Sequence, residues 1–65
     1  IMKMKFDNAF KTKEGFVGMQ FVSKDKRTLT VHRDKDGLHI TEGFGVKDTN
    51  FCLNYYLENS SRFLK

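Results

Sequence analysis

The chain has 65 residues, a length that accommodates one small domain and excludes a protein of two domains. Hydrophobic residues make up 38% of the sequence, which is enough for a core, and lysine and arginine outnumber the acidic residues by 12 to 8. The formal charge of +4 suggests an anionic partner. No apolar run is long enough to cross a membrane, and the single cysteine, Cys52, suits a reducing compartment, so we expect a cytoplasmic protein.

The first part of the chain alternates apolar and polar residues with the period of two that is typical of β-strands. The alternation predicts four strands, near residues 2–11, 16–23, 28–33 and 38–46. Their short connections predict antiparallel neighbours in meander order, with Phe6 opposite Phe21. The same register places Phe10 opposite Val17, with both side chains inward. Unbroken alternation would also turn Glu42 inward, so we expect a bulge or a bend at Glu42-Gly43.

The last part of the chain changes to the period of an amphipathic helix, from about residue 49 to residue 63. Asp48 or Thr49 is a suitable N-cap, and Cys52, Tyr56 and Phe63 share one helical face. The sequence therefore predicts a single α+β domain over residues 1–65, a four-stranded antiparallel β-meander with one C-terminal helix packed on one face. The covered sheet face would contain Met4, Phe6, Phe10, Val17, Met19, Phe21, Leu29, Val31, Leu38, Ile40 and Phe44.

The opposite face of the sheet would meet water or a partner. Sheets that bind single strands combine lysines for the phosphates with exposed aromatic rings on which bases stack. Phe16 is the expected stacking platform. The residues predicted to bind nucleic acid or another partner, on this face and in the adjoining hairpins, are Lys3, Lys5, Lys11, Phe16, Gln20, Lys24, Lys26, Arg27, His32, Arg33, Lys35 and His39. We therefore predict a small non-catalytic module that binds single-stranded nucleic acid.

A second function fits the same observations. Short length and charged hairpin loops are equally typical of a small protein-binding inhibitor or adaptor, of the kind that viruses and mobile elements encode to act on a host protein. Phe16 and Val22 on an otherwise polar face could also be the centre of a homodimer, which would enlarge a thin core. The predicted order of elements resembles that of the single-stranded-DNA-binding domain of transcriptional coactivators, a likeness of topology without a shared sequence motif.

Catalytic and metal sites are not predicted. Cys52 would face inward while His32 and His39 lie on the outer face, so these residues do not form a Cys–His nucleophilic pair. The two histidines would lie directly opposite each other on neighbouring strands, but two ligands are too few for a closed metal site. We therefore expect no enzyme activity, no cofactor and no metal.

Overall fold

The fold consists of four antiparallel strands followed by a C-terminal helix, as seen in a computed structural model that describes residues 3–63. The strands form one sheet in chain order, and they are β1 (Lys5–Lys11), β2 (Val17–Val22), β3 (Thr28–Asp34) and β4 (Gly37–Ile40). Helix α1 (Val46–Asn59) follows and continues into one turn of 3-10 helix at Ser60–Phe63. The predicted α+β meander is confirmed, while its predicted start at residue 2 lies outside the described residues.

The core lies between the sheet and α1. Its buried hydrophobic side chains are Met4, Val17, Met19, Phe21, Leu29, Val31, Cys52 and Tyr56. The hydroxyl of Tyr56 donates a hydrogen bond of 2.7 Å to the carbonyl oxygen of Val17. Because a buried hydroxyl without a partner is costly, this bond allows a tyrosine to fill the core and fixes α1 against the start of β2.

An aromatic cluster closes the side of the core next to β1. The Phe6 ring stacks on Tyr55 with centroids 5.1 Å apart, and it meets Phe21 edge-on at 5.9 Å. Phe63 approaches Phe6 from the 3-10 turn, with centroids 6.2 Å apart. The predicted pairing of Phe6 with Phe21 is confirmed. Such ring pairs add to the free energy gained from area burial, and they hold the end of the helix on the edge of the sheet.

A bulge interrupts β1 between Phe6 and Asn8, and it changes the face of every later residue in the strand. After the bulge Ala9 faces the core, and Phe10 pairs with Gly18 on the other side of the sheet. The Phe10 side chain is 40% exposed there. The prediction that placed Phe10 in the core is wrong because one extra residue reverses a pattern whose period is two.

Strand β4 is shorter than predicted. It ends at Ile40, and beyond it the hydroxyl oxygen of Thr41 accepts the N–H of Thr30 at 3.0 Å in place of a backbone carbonyl. Gly43 then turns the chain with a φ of 99°, a conformation that glycine adopts without a Cβ clash. The predicted bend at Glu42-Gly43 is confirmed, and the alternative of a bulge does not arise because β4 has already ended at Ile40.

Helix α1 begins earlier than predicted. Gly45 is its N-cap residue, and the N–H of Thr49 donates to the Gly45 carbonyl at 2.9 Å. Asp48 and Thr49 therefore lie in the first turn and neither is the predicted N-cap, although the carboxylate of Asp48 suits the positive end of the helix dipole. No helix in the described part of the chain is long and apolar enough to span a membrane.

The edge of the sheet at β4 is less covered than the centre. Leu38 is 37% exposed, so its predicted place in the core is wrong, whereas Ile40 is partly buried against the core. Phe44 also packs against the core, but it does so from the loop after β4 and not from the predicted strand. The helix thus covers β2 and β3 most completely and leaves the β4 edge open.

Candidate nucleic-acid interface

The sheet face opposite α1 is open in the described part of the chain, and its side chains form rows across the strands. The strand register aligns an aromatic row that consists of Phe10, Gly18, His32 and His39. Beside it lies a polar row that consists of Asn8, Gln20, Thr30 and Thr41. Lys5 and Val22 pair in the next row, nearer the start of β1. The open face therefore changes from aromatic to polar to basic along the strands.

Two pairs of residues build the aromatic row. The Phe10 ring lies across Gly18, where an added Cβ would come within 2.4 Å of the ring. Glycine on β2 thus leaves the space that the phenyl ring from β1 occupies over the neighbouring strand. His32 and His39 stack on each other from β3 and β4, with ring centroids 5.2 Å apart and an interplanar angle of 21°. The pairing of these two histidines was predicted and is confirmed.

The side chain of Asp34 fixes the orientation of His39. Nε2 of His39 donates to Oδ2 of Asp34 at 2.9 Å, and the backbone N–H of Asp36 donates to Oδ1 at 2.7 Å. These hydrogen bonds, the one from Asp36 first, lower the pKa of the Asp34 carboxyl below its ordinary value. The carboxylate therefore keeps its charge, and the His39 ring stays held in place with its face toward His32.

Four lysines surround a shallow pocket at the end of the open face where β1 begins. This lysine pocket is lined by Lys3, Lys5, Val22, Ser23, Lys24 and Lys26. Within residues 3–63 none of its four lysines forms an ion pair with a carboxylate. All four were predicted to be binding residues, and the fold brings them together because the β2–β3 hairpin ends beside the start of β1.

Phe16 does not lie on the open face, contrary to prediction. It borders a shallow pocket with Tyr56 and Ser60, at the end of α1. Its backbone N–H donates to the hydroxyl oxygen of Thr12 at 3.1 Å, which holds it in the turn before β2. Phe16 is therefore neither the stacking platform nor the centre of a dimer on that face. Phe10 is the aromatic residue that occupies the open face instead.

Two further predicted residues lie on the helix side of the sheet. Lys11 pairs with Val17, whose side chain is in the core, because the β1 bulge moves Lys11 to that side together with Ala9. The guanidinium of Arg33 lies 5.8 Å from the centre of the Tyr56 ring. Both residues were predicted to serve the binding surface, and the structure places them away from the open face.

The remaining two predicted cations lie in hairpins. Arg27 covers the Phe44 ring at 4.4 Å and pairs with Asp25 at 3.2 Å, so its guanidinium stabilises the loop before α1. Lys35 is exposed in the β3–β4 turn, at the other end of the sheet from the lysine pocket. Seven of the predicted residues therefore lie on the open face or at its edge, namely Lys3, Lys5, Gln20, Lys24, Lys26, His32 and His39.

The cysteine and the histidines lie on opposite sides of the sheet, as predicted. Cys52 is buried beneath α1, and burial, with a smaller contribution from the carboxylate of Asp48, raises the pKa of its thiol to about 11. The thiol is therefore protonated at neutral pH and is a poor nucleophile. No group of three or more His, Cys, Asp or Glu side chains that could hold a metal ion occurs among residues 3–63.

Comparison of the chain with protein-family models, with curated proteins and with solved structures finds no match. The likeness in element order to the single-stranded-DNA-binding domain of transcriptional coactivators thus gains no support from a solved structure.

Proposed function

We propose that the open face of the sheet binds single-stranded nucleic acid. The observation that carries this proposal is the aromatic row, in which the Phe10 ring lies over Gly18 in line with the stacked rings of His32 and His39. A large apolar ring that is 40% exposed on a sheet face of polar neighbours is costly to solvate, so a flat ligand that covers it is favoured. Nucleic-acid bases are ligands of this shape.

The spacing of the row suits more than one base. Phe10 and His32 lie on strands separated by β2, which puts them about 10 Å apart at about 4.8 Å for each strand step. A base stacked on Phe10 and a second base stacked on the histidine pair would each contribute about 1 to 3 kcal/mol. Stacking on a ring does not depend on base identity, so this row predicts affinity with little sequence preference.

The polar row supplies hydrogen-bonding groups next to the rings. Gln20 and Asn8 carry amides, and Thr30 and Thr41 carry hydroxyls, so both donors and acceptors are present beside stacked bases. Thr41 already bonds to the backbone of Thr30, which leaves the Gln20 amide as the adaptable group at the centre of the sheet. We expect Gln20 to contact base edges or sugar hydroxyls.

The experiment that tests this function is a fluorescence-anisotropy titration of labelled single strands of mixed sequence. We expect binding at low salt, with log K falling against log salt at a slope near −3, about 0.7 for each of about four phosphates neutralised. Phe10→Ala should weaken binding by about 1 to 3 kcal/mol, and the matched variant Phe51→Ala, which removes an exposed ring of α1, should leave it unchanged. Absence of binding at low salt contradicts the function.

A protein partner bound through α1 is the second candidate. Val46 is 76% exposed and Leu57 is 56% exposed, and at 100° per residue these positions share one side of the helix. Exposed apolar side chains on one surface are typical of protein interfaces, as expected for an inhibitor or adaptor or for a homodimer. The double variant Val46→Asp, Leu57→Asp should abolish such an interaction and spare oligonucleotide binding. Light scattering tests the homodimer, and a purely monomeric mass contradicts it.

A further inference from the structure

The lysine pocket brings four lysines together, and its own turn does not neutralise them. The one carboxylate of the β2–β3 turn, Asp25, receives hydrogen bonds from the Ser23 hydroxyl and from Arg27 Nε. These partners, Ser23 first, lower the pKa of Asp25 and occupy its oxygens. The ammonium groups of Lys24 and Lys26 are thus left with each other and with Lys3 and Lys5.

Like charges that share a concave site repel one another, and a bound anion removes that cost. Val22 and Ser23 complete the lining of the lysine pocket, and the Ser23 hydroxyl already bonds within its own turn. Lys26 has a φ of 72°, in the left-handed region where glycine is favoured, so a lysine at this position carries a conformational cost.

We propose that the lysine pocket binds the terminal phosphate of the single strand that lies on the open face, an inference that rests on the proposed function. An internal phosphodiester carries one negative charge, whereas a terminal phosphate monoester carries about −1.5 to −2 at neutral pH. Four ammonium groups in one pocket match the monoester better than they match a single diester. The pocket also lies at the end of the sheet face, which is where a strand would terminate.

The distance between the lysine pocket and the aromatic row agrees with one strand occupying both. Along β2, Val22 borders the pocket and Gly18 belongs to the row, and four strand residues span about 13 Å. Bases stacked at about 3.4 Å per nucleotide cover that distance in about four nucleotides. A terminal phosphate in the lysine pocket therefore sets the position from which successive bases reach the polar and aromatic rows.

The test compares oligonucleotides of about eight nucleotides that carry a phosphate at the 5′ end, at the 3′ end, or at neither end. We expect the phosphate at one of the two ends to tighten binding about tenfold. An oligonucleotide one residue longer with two hydroxyl ends is the control, because its added phosphodiester supplies charge without a terminal monoester. The tenfold gain in affinity should require the terminal phosphate, and it should occur at one end of the strand and not at the other.

Two double variants of equal charge show where the phosphate binds. Lys24→Gln, Lys26→Gln should remove most of the tenfold gain, while Lys13→Gln, Lys35→Gln, at exposed positions of the opposite turns, should retain it. The proposal is overturned if neither terminal phosphate adds more than the extra phosphodiester, or if the Lys24, Lys26 variant keeps the gain. Binding of phosphorylated strands that needs the lysine pocket but tolerates Phe10→Ala would contradict the proposed function alone. No binding of any strand contradicts both.

Discussion

The two faces of the sheet are formed by alternate residues of the same strands, and they differ in burial and in chemical character. On the helix side, β2 and β3 contribute Met19, Phe21, Leu29 and Val31, all without exposed surface, and the buried hydroxyl of Tyr56 has its partner. On the open side, the same strands contribute Gly18, Gln20, Thr30 and His32, and the neighbouring strand adds an exposed phenyl ring.

Under the proposed function, folding depends on one side of this very small domain and binding on the other. A chain of this size has little stability to lose, so an exposed aromatic ring is tolerated only where it does not compete with the core. Substitutions on the helix side should therefore change the free energy of unfolding, and substitutions on the open side should change binding.

Phe21→Ala should have the largest effect. Phe21 is fully buried at the centre of the aromatic cluster, and its truncation leaves a cavity that costs about 3 to 5 kcal/mol. This is about the whole stability expected for so small a core, so we expect a largely unfolded chain in circular dichroism at 25 °C. A cooperative urea transition close to that of the wild type would show that the core does not hold the fold.

Tyr56→Phe should destabilise by about 0.5 to 1.5 kcal/mol, because it removes the buried hydrogen bond that joins α1 to the Val17 carbonyl. Urea denaturation measures the change. Tyr55→Phe is the matched control, since the Tyr55 hydroxyl makes no hydrogen bond within residues 3–63. Equal losses in the two variants would mean that the Tyr56 bond contributes nothing.

Gly18→Ala should displace the Phe10 ring without removing it. The new Cβ would lie 2.4 Å from the far end of that ring, which can swing away toward solvent. We therefore expect oligonucleotide binding to weaken by about 1 to 3 kcal/mol, as in Phe10→Ala. The free energy of unfolding should change by no more than about 1 kcal/mol. Unchanged binding in the folded variant would contradict a stacking role for Phe10.

Acid should lower the free energy of unfolding through Asp25 and Asp34, and this is the smallest of the expected effects. Both carboxyls have pKa values below the ordinary 3.8, so the unfolded chain takes up protons first as the pH falls. Their contribution is complete above that ordinary value and is lost as the pH falls below it. Asp34→Asn should flatten the dependence of the urea midpoint on pH, whereas Glu42→Gln, which removes a carboxylate without a hydrogen bond within residues 3–63, should not.

Most of the fold could be predicted from the sequence because β2 and β3 alternate without interruption. Their pairing, including Met19 with Val31 and His32 with His39, follows from turn lengths and from the need to keep apolar residues on one side. The helix was recognisable from the spacing of Cys52 and Tyr56, although its start depends on where β4 ends.

The place of Phe10 in the aromatic row was not predicted because it depends on the bulge in β1. The signal that a bulge was needed is Asn8, whose amide an unbroken alternation would place among core side chains without a partner. Gly18 opposite Phe10 is a second signal, since a glycine within a strand indicates close approach of another group. Phe16 was misplaced because it belongs to the turn before β2, where the alternation of a strand does not apply.

Chemical-shift mapping of backbone amides during titration with a single-stranded oligonucleotide shows which face of the sheet binds. The perturbed amides should include Phe10, Gly18, His32 and His39, on all four strands of the open face. Amides of α1, on the other side of the sheet, should keep their positions. Perturbations centred on α1, or none at oligonucleotide concentrations well above those of the protein, would contradict the assignment of binding to the open face.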